Sequence, residues 1–155
     1  MTPAIHLAKK KKIVHKVHKY NHDPSNQSYG TEAAEKMGVP EDRVFKTLVV
    51  RLDNTELAVG VIPVSSMLSM KHMAKATGAK KAAMADKLDV ARSTGYVLGG
   101  VSPLGQKKRL KTVIDASSND FSTIFVSAGR RGLQIELSPV DLMKLTGGVF
   151  SKICQ

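Results

Sequence analysis

The sequence predicts an α+β fold: a single domain on a curved, largely antiparallel or mixed, barrel-like sheet flanked by helices. Three observations predict it. The length of 155 residues suits one hydrophobic core. Helix-start and strand signals interleave along the chain. Links of hairpin type outnumber long crossovers, which argues against a doubly wound parallel sheet.

Thr2-Pro3 reads as the N-cap and first position of a helix running to about Lys12. Ile13–Tyr20 (IVHKVHKY) follows as a strand. His22–Gly30 is a turn-rich loop, broken at Asp23-Pro24. Thr31–Gly38 predicts a short helix capped by Thr31 and ended by Gly38. Phe45–Leu52 (FKTLVVRL) and Glu56–Pro63 (ELAVGVIP) are β-rich runs separated by Asp53-Asn54-Thr55, and read as a hairpin. Ser65–Ala76 places Met67, Leu68, Met70, Met73 and Ala74 at helical spacing and stops at Gly78. That methionine stripe reads as core filler. Asp86 caps a further helix ending near Thr94-Gly95. Lys111–Ile114, Thr123–Ser127 and Leu133–Leu137 read as strands, the last two joined by an Arg-Arg-Gly turn. Ser138-Pro139 opens a final helix that closes at Gly147-Gly148.

The charge is uneven and strongly positive. The formal net charge is +11 and the pI about 9.9. Residues 1–22 hold six lysines and no carboxylate. Lys71, Lys75, Lys80 and Lys81 form a second cluster, with Lys107–Lys111 and Arg130-Arg131 as two more. Such asymmetry points to a phosphate-backbone partner. Only seven aromatic residues occur, none of them Trp, which argues against single-strand binders that stack successive bases. No apolar run approaches the ~18 residues of a membrane span. The lone Cys154 excludes an internal disulfide, and without close Cys or His spacing no zinc framework is expected. The expected compartment is the cytoplasm.

Motifs for common catalysis are absent: no GxSxG elbow, Walker A, GxGxxG, HExxH or EF-hand loop. His15 and His18 fall three apart on a predicted strand and face opposite sides. Each of the five histidines is expected in a surface role. Cys154 sits next to the C-terminus, where chains usually fray, and is a poor candidate nucleophile. Any hydrolysis here would proceed without a protein nucleophile, which suits an ester that is already activated.

Ser93–Gly105 (STGYVLGGVSPLG) is the candidate binding loop. It packs four glycines, a proline and hydroxyl residues ahead of the basic run QKKRLK. Backbone N–H groups in such a bend can bind an anion or a developing oxyanion. The same glycine pair also fits a plain tight bend. Lys46, at the start of an apolar strand, either snorkels at the strand's end or points into a cleft. Tyr20 ends the preceding strand and offers a hydroxyl, or serves as a half-buried structural tyrosine.

TPAIHLAKKKKI, YNHDPSNQSYGTEAAEKMG, FKTLVV, KKAAMADK, STGYVLGGVSPLGQKKRLKTVID and TIFVSAGRRGLQIEL together resemble the YbaK family. Its members are free-standing Cys-tRNA(Pro) deacylases, similar to the editing domain inserted in bacterial prolyl-tRNA synthetases. The similarity runs in order over nearly the whole chain, and GYVLGGVSPLGQKKR is its most specific block. The resemblance implies trans-editing alongside prolyl-tRNA synthetase, whose pocket rejects near-isosteric cysteine poorly. It implies that Lys46 holds the tRNA 3′ end near the ester, and that Gly99 faces the substrate carbonyl, with Gly100 beside it. Tyr20 and Tyr29 become pocket-lining aromatics and Ser127 a polar pocket residue. Gln134 departs from an acidic residue seen in a related type, which puts charge recognition of the substrate ammonium in doubt. Glu136, on the same strand face, is a weak substitute. Lys107, Lys108, Arg109 and Arg130 are candidate contacts for the tRNA backbone. The implied mechanism is substrate-assisted: the cysteinyl thiol attacks its own ester, without cofactor or metal. Two other readings stay open. One is a deacylase for another mischarged tRNA(Pro), such as Ala-tRNA(Pro); the other is a non-catalytic tRNA-binding adaptor.

Overall fold

A computed structural model describes all residues, 1–155. Five helices and eight strands alternate in the order α1 (Pro3–Lys10), β1 (His15–Lys19), α2 (Tyr29–Met37), β2 (Phe45–Leu52), β3 (Glu56–Pro63), α3 (Met70–Thr77), β4 (Ala82–Met84), α4 (Lys87–Thr94), β5 (Lys111–Asp115), β6 (Ile124–Arg130), β7 (Leu133–Leu137), α5 (Pro139–Thr146) and β8 (Val149–Ser151). Four helices start at a side-chain cap, Thr2, Ser69, Asp86 and Ser138, each accepting from a main-chain N–H three residues on. Gly38, Gly78, Gly95 and Gly147 end helices in the left-handed conformation that spares an L side chain its strain.

Two boundaries differ from the sequence reading. α2 begins at Tyr29, and Thr31 lies inside it; the Thr31 hydroxyl donates to Glu41 Oε1 at 3.1 Å instead of capping. α3 begins at Met70, because Leu68 forms a bridge with Cys154 and Ser69 takes the cap. The methionine stripe is split as a result: Met73 is fully buried and Met67 is exposed. β4 and β8 are three-residue strands whose sequences carry no period long enough to read.

The strands form two sheets, ordered β1-β7-β6 and β4-β2-β3-β5-β8. β2 and β3 make the expected hairpin, in register from Phe45 opposite Pro63 to Leu52 opposite Glu56. Positive φ at Asp53 and Asn54 turns it. β3–β5 and β5–β8 are parallel, so the larger sheet is mixed. The sheets meet at a bridge between Val44 and Phe125 and do not close into a barrel. Phe45, Val49, Val61 and Ile114 from one sheet pack with Ile124, Val126, Ile135 and Leu137 from the other, and α1 adds Ala4, Ile5 and Ala8. The second face of the larger sheet buries Val50, Leu52, Ile62 and Val113 with Met73 of α3. β4 covers only Val50–Leu52 of β2, which leaves the start of that strand as an open edge. A cavity forms there.

Candidate active site

The open edge of β2 is one wall of a cavity of about 360 Å³. Phe45, Lys46, Thr47 and Leu48 supply this wall. Tyr20, the start of α2 (Tyr29–Thr31) with Ser28 before it, the loop residues Leu98, Gly99 and Val101, the β6–β7 pair Ser127 and Gln134, and Val44 and Val64 supply the rest. Half of its 16 lining residues are hydrophobic, so the few polar groups decide what binds. Lys46 is the sole ammonium or guanidinium among them, and takes part in none of the protein's salt bridges. No His, Cys, Asp or Glu lines the cavity.

Two buried polar atoms of the lining residues lack a partner, Thr47 Oγ1 and Gln134 Oε1. Burying such an atom unpaired costs about 1–3 kcal/mol, so each would gain from a partner that a small rotation of its side chain could reach. Thr47 also presents backbone. Ala85 N–H donates to the Val49 carbonyl from the β4 side. Peptide groups alternate sides along a strand, so those of Thr47 face the same way, beyond the last residue of β2 that β4 pairs. Ser127 sits across the strand pair from Gln134, and its Oγ accepts from Gly129 N–H at 3.1 Å. Burial pushes the Tyr20 hydroxyl up from its ordinary range, against a backbone hydrogen bond with Gly132.

The glycine loop has a defined geometry. Gly100 N–H donates to the Val97 carbonyl at 2.9 Å, and Gly99 has φ +84° while Leu98 does not share the positive sign. This is a type II turn. Arg131 Nη2 donates to the Leu98 carbonyl at 3.0 Å. In a trans peptide the Gly99 N–H points opposite to that carbonyl; it has no main-chain or side-chain acceptor, and Gly99 lines the cavity. Gly100 differs from its expected role. Its N–H is occupied by the turn, it does not line the cavity, and a Cβ there would lie 2.8 Å from Arg130 Cα. Gly100 is required by close backbone approach, with no free N–H for a substrate.

Around this cavity the structure brings together Lys46, Gly99, Tyr20, Tyr29, Ser127 and Gln134. Arg130 lies in an adjoining groove with Lys19, Asn21 and Arg131, joined to the cavity through Tyr20. Lys107, Lys108 and Arg109 are exposed but line no part of the cavity. Main-chain bonds from Lys107 and Lys108 to Thr94 and Ser93 pin that run to the end of α4. Lys108 and Arg109 line a separate groove with Lys11.

Glu136 shares the strand face of Gln134 and is already committed. It accepts from His18 Nε2 at 2.9 Å, Arg43 Nη2 at 3.2 Å and Thr123 Oγ1 at 2.6 Å. Burial pushes its carboxyl up, but these partners outweigh that and hold it below 4.5. It therefore does not stand in for an acidic residue at position 134. His22 departs from the expected surface role. Its Nδ1 lies 2.6 Å from Oε1 of Glu32, a carboxylate 1% exposed, and its Nε2 is buried without a partner. Cys154 is an ordered bridge residue, and burial with nearby Asp115 pushes its thiol up to about 11. It stays protonated and outside the cavity.

Sequence reasoning missed Thr47 and understated Arg131. A threonine inside an apolar strand carries no signal of an open edge. Arg131 was visible only as charge in the Arg-Arg-Gly turn.

Residues 24–145 match the aminoacyl-tRNA editing domain. A protein of Enterococcus faecalis, EbsC, named as a Cys-tRNA(Pro)/Cys-tRNA(Cys) deacylase, is 38% identical over 152 residues, 98% of this chain and 92% of that protein. The uncharacterized protein YwhH of Bacillus subtilis is 31% identical over 122 residues, 79% of this chain and 75% of its own. A crystal structure described as a trans-editing enzyme for prolyl-tRNA synthetase superposes with a TM-score of 0.80 at 20% identity. It covers 91% of this chain and 87% of the other, and shows the shared fold. With an editing-domain match over most of its length, this chain belongs to the aminoacyl-tRNA editing (YbaK) family and is an aminoacyl-tRNA deacylase.

Proposed function

We propose that the substrate is tRNA(Pro) mischarged with cysteine, and that the cysteinyl thiol is the nucleophile. The observation that carries this reading is the cavity's side-chain inventory. It offers hydroxyls and one ammonium but no imidazole, thiol or carboxylate to activate a protein nucleophile. The name of the Enterococcus relative, at 38% identity, supports the cysteinyl ester.

In the step proposed, the substrate sulfur bonds to its own ester carbonyl carbon. The carbonyl–oxygen bond to the terminal ribose breaks, and the thiol proton passes through water to that ribose oxygen. The products are a cysteine thiolactone and a free tRNA hydroxyl; water opens the thiolactone afterwards. The protein's part is placement and charge stabilisation. The free Gly99 N–H faces the developing oxyanion, a contribution on the order of 10²–10³-fold for one such donor. Lys46 holds the tRNA 3′ end near the ester. Turned toward the cavity, the Gln134 amide oxygen accepts from the substrate ammonium, and Tyr20, Tyr29 and Ser127 bound the space for the side chain. The adjoining Lys19–Arg130–Arg131 groove carries the phosphates, while Lys107, Lys108 and Arg109 meet more distant backbone. Prolyl-tRNA synthetase supplies the mischarged tRNA.

The test compares Cys-tRNA(Pro), Ala-tRNA(Pro) and Cys-tRNA(Cys), each with and without prolyl-tRNA synthetase. Rapid loss of the cysteinyl esters alone is expected. Equal cleavage of the alanyl ester would overturn thiol assistance. Binding of tRNA with unchanged ester lifetime would overturn the enzymatic role.

A further inference from the structure

The cavity has two extensions of opposite character. On the Tyr20 side it borders the groove of Lys19, Arg130 and Arg131, with Tyr20 lining both. On the other side it shares Thr47, Leu48, Leu98 and Val101 with a slot of about 130 Å³. Eight of the ten residues lining that slot are hydrophobic, and Lys87 is its one charged residue. Met84 and Leu98 flank it while remaining 53% and 54% exposed. Along its base runs the edge of β2 at Thr47, beyond the residues that β4 pairs, with the Thr47 N–H and C=O directed to that side.

We propose that this slot seats the terminal adenine base of the tRNA substrate, an inference that rests on the aminoacyl-tRNA reading above. An aminoacyl group in the cavity is esterified to the terminal adenosine, so a base and a phosphate chain must both leave the cavity nearby. The base has two apolar faces and a polar edge. The slot has apolar walls and a strand edge with one donor and one acceptor. The phosphates are anionic, and the opposite groove is cationic. Charge complementarity thus assigns each part of the nucleotide to one extension. Met84 and Leu98 meet the base faces, and the Thr47 peptide groups meet its edge.

Met84 is its own reporter. Protein labelled with ¹³C at the methionine methyl groups is titrated with the trinucleotides CCA and CCC. The expected result is a saturable ring-current shift of the Met84 methyl with CCA and none with CCC, with the exposed Met67, which lines neither the slot nor the cavity, unmoved in both. In parallel, Met84→Asp is expected to raise KM for the charged tRNA about tenfold with kcat retained. Removing the terminal base from the substrate should add no further loss in that variant. A silent Met84 with CCA, an equal shift with CCC, or losses that multiply would overturn the proposal. A Met84 shift seen only on adding prolyl-tRNA synthetase would also overturn it, and would assign the slot to a protein partner. If Met84 responds to CCA while Cys-tRNA(Pro) persists, the adenine slot stands and the amino-acid assignment falls.

Discussion

The guanidinium carbon of Arg131 lies 4.1 Å from the centre of the Tyr29 ring, and the same side chain donates to the Leu98 carbonyl. One residue of the β6–β7 turn thereby ties the first residue of α2 to the glycine loop. It also holds the Leu98–Gly99 peptide in the orientation that leaves the Gly99 N–H free. Arg131→Ala should lower kcat/KM about tenfold while costing about 1 kcal/mol of stability, the scale of one cation–π contact and one hydrogen bond. Arg131→Lys should not restore activity, because a point charge cannot stack and donate in that fixed geometry. Steady-state deacylation and thermal melts check both.

Lys46→Ala should reduce deacylation on the order of 10²-fold or more. Its ammonium has no protein partner to leave stranded, so stability should move by less than about 0.5 kcal/mol. Full activity in a folded variant would remove Lys46 from the site.

Gln134→Leu should move affinity and stability in opposite directions. A hydrogen bond to a charged group is worth about 1.5–3 kcal/mol, so KM should rise roughly tenfold to a hundredfold. The unfolding midpoint should hold or rise, because a buried atom without a partner is replaced by an apolar group. Denaturation and kinetics on one preparation separate the two.

Gly99→Ala and Gly100→Ala should fail for different reasons. At Gly99 a positive φ adds about 1–2 kcal/mol for any L residue. A Cβ there would also meet Arg131 Nε at 2.5 Å and Tyr29 carbons at 2.9 Å, so activity should be lost with the displaced pair. At Gly100 the obstacle is backbone, Arg130 Cα, which cannot swing away. Gly100→Ala should therefore show mainly as lost stability in a melt.

Acid should weaken the fold through Glu32 and Glu136. Burial pushes both carboxyls up, but hydrogen bonds outweigh it: His22 and the Asp23 N–H for Glu32, Thr123 and His18 for Glu136. Both end below 4.5 in the folded state. Their contribution is complete above the unfolded value and is lost as pH falls through the folded one. Stability should therefore decline below pH 4.5, and Glu136→Gln should flatten part of that decline in urea titrations.

Much of the fold was legible because its signals are local. The Asp53-Asn54-Thr55 turn between two β-rich runs yields its hairpin in full register. Ser138-Pro139 and Asp86 start their helices where expected. The Thr31 cap failed because Tyr29 and Gly30 join the helix through contacts made elsewhere, Tyr29 under Arg131 and Gly30 against Val64. The parallel pairings of β3, β5 and β8 join residues far apart in sequence, and no local period encodes them.

By itself the sequence determined the basic character of the protein, its α+β class, and the residue types that can meet an activated ester. Those properties follow from composition, capping and short-range spacing. Only the tertiary structure decided which groups are free to act. It left Thr47 on an uncovered strand edge, spent the Gly100 N–H within a turn while freeing that of Gly99, and tied Glu136 to His18, Arg43 and Thr123. Availability is set by partners distant in the chain, since a donor or acceptor is usable only where folding has left it unpaired.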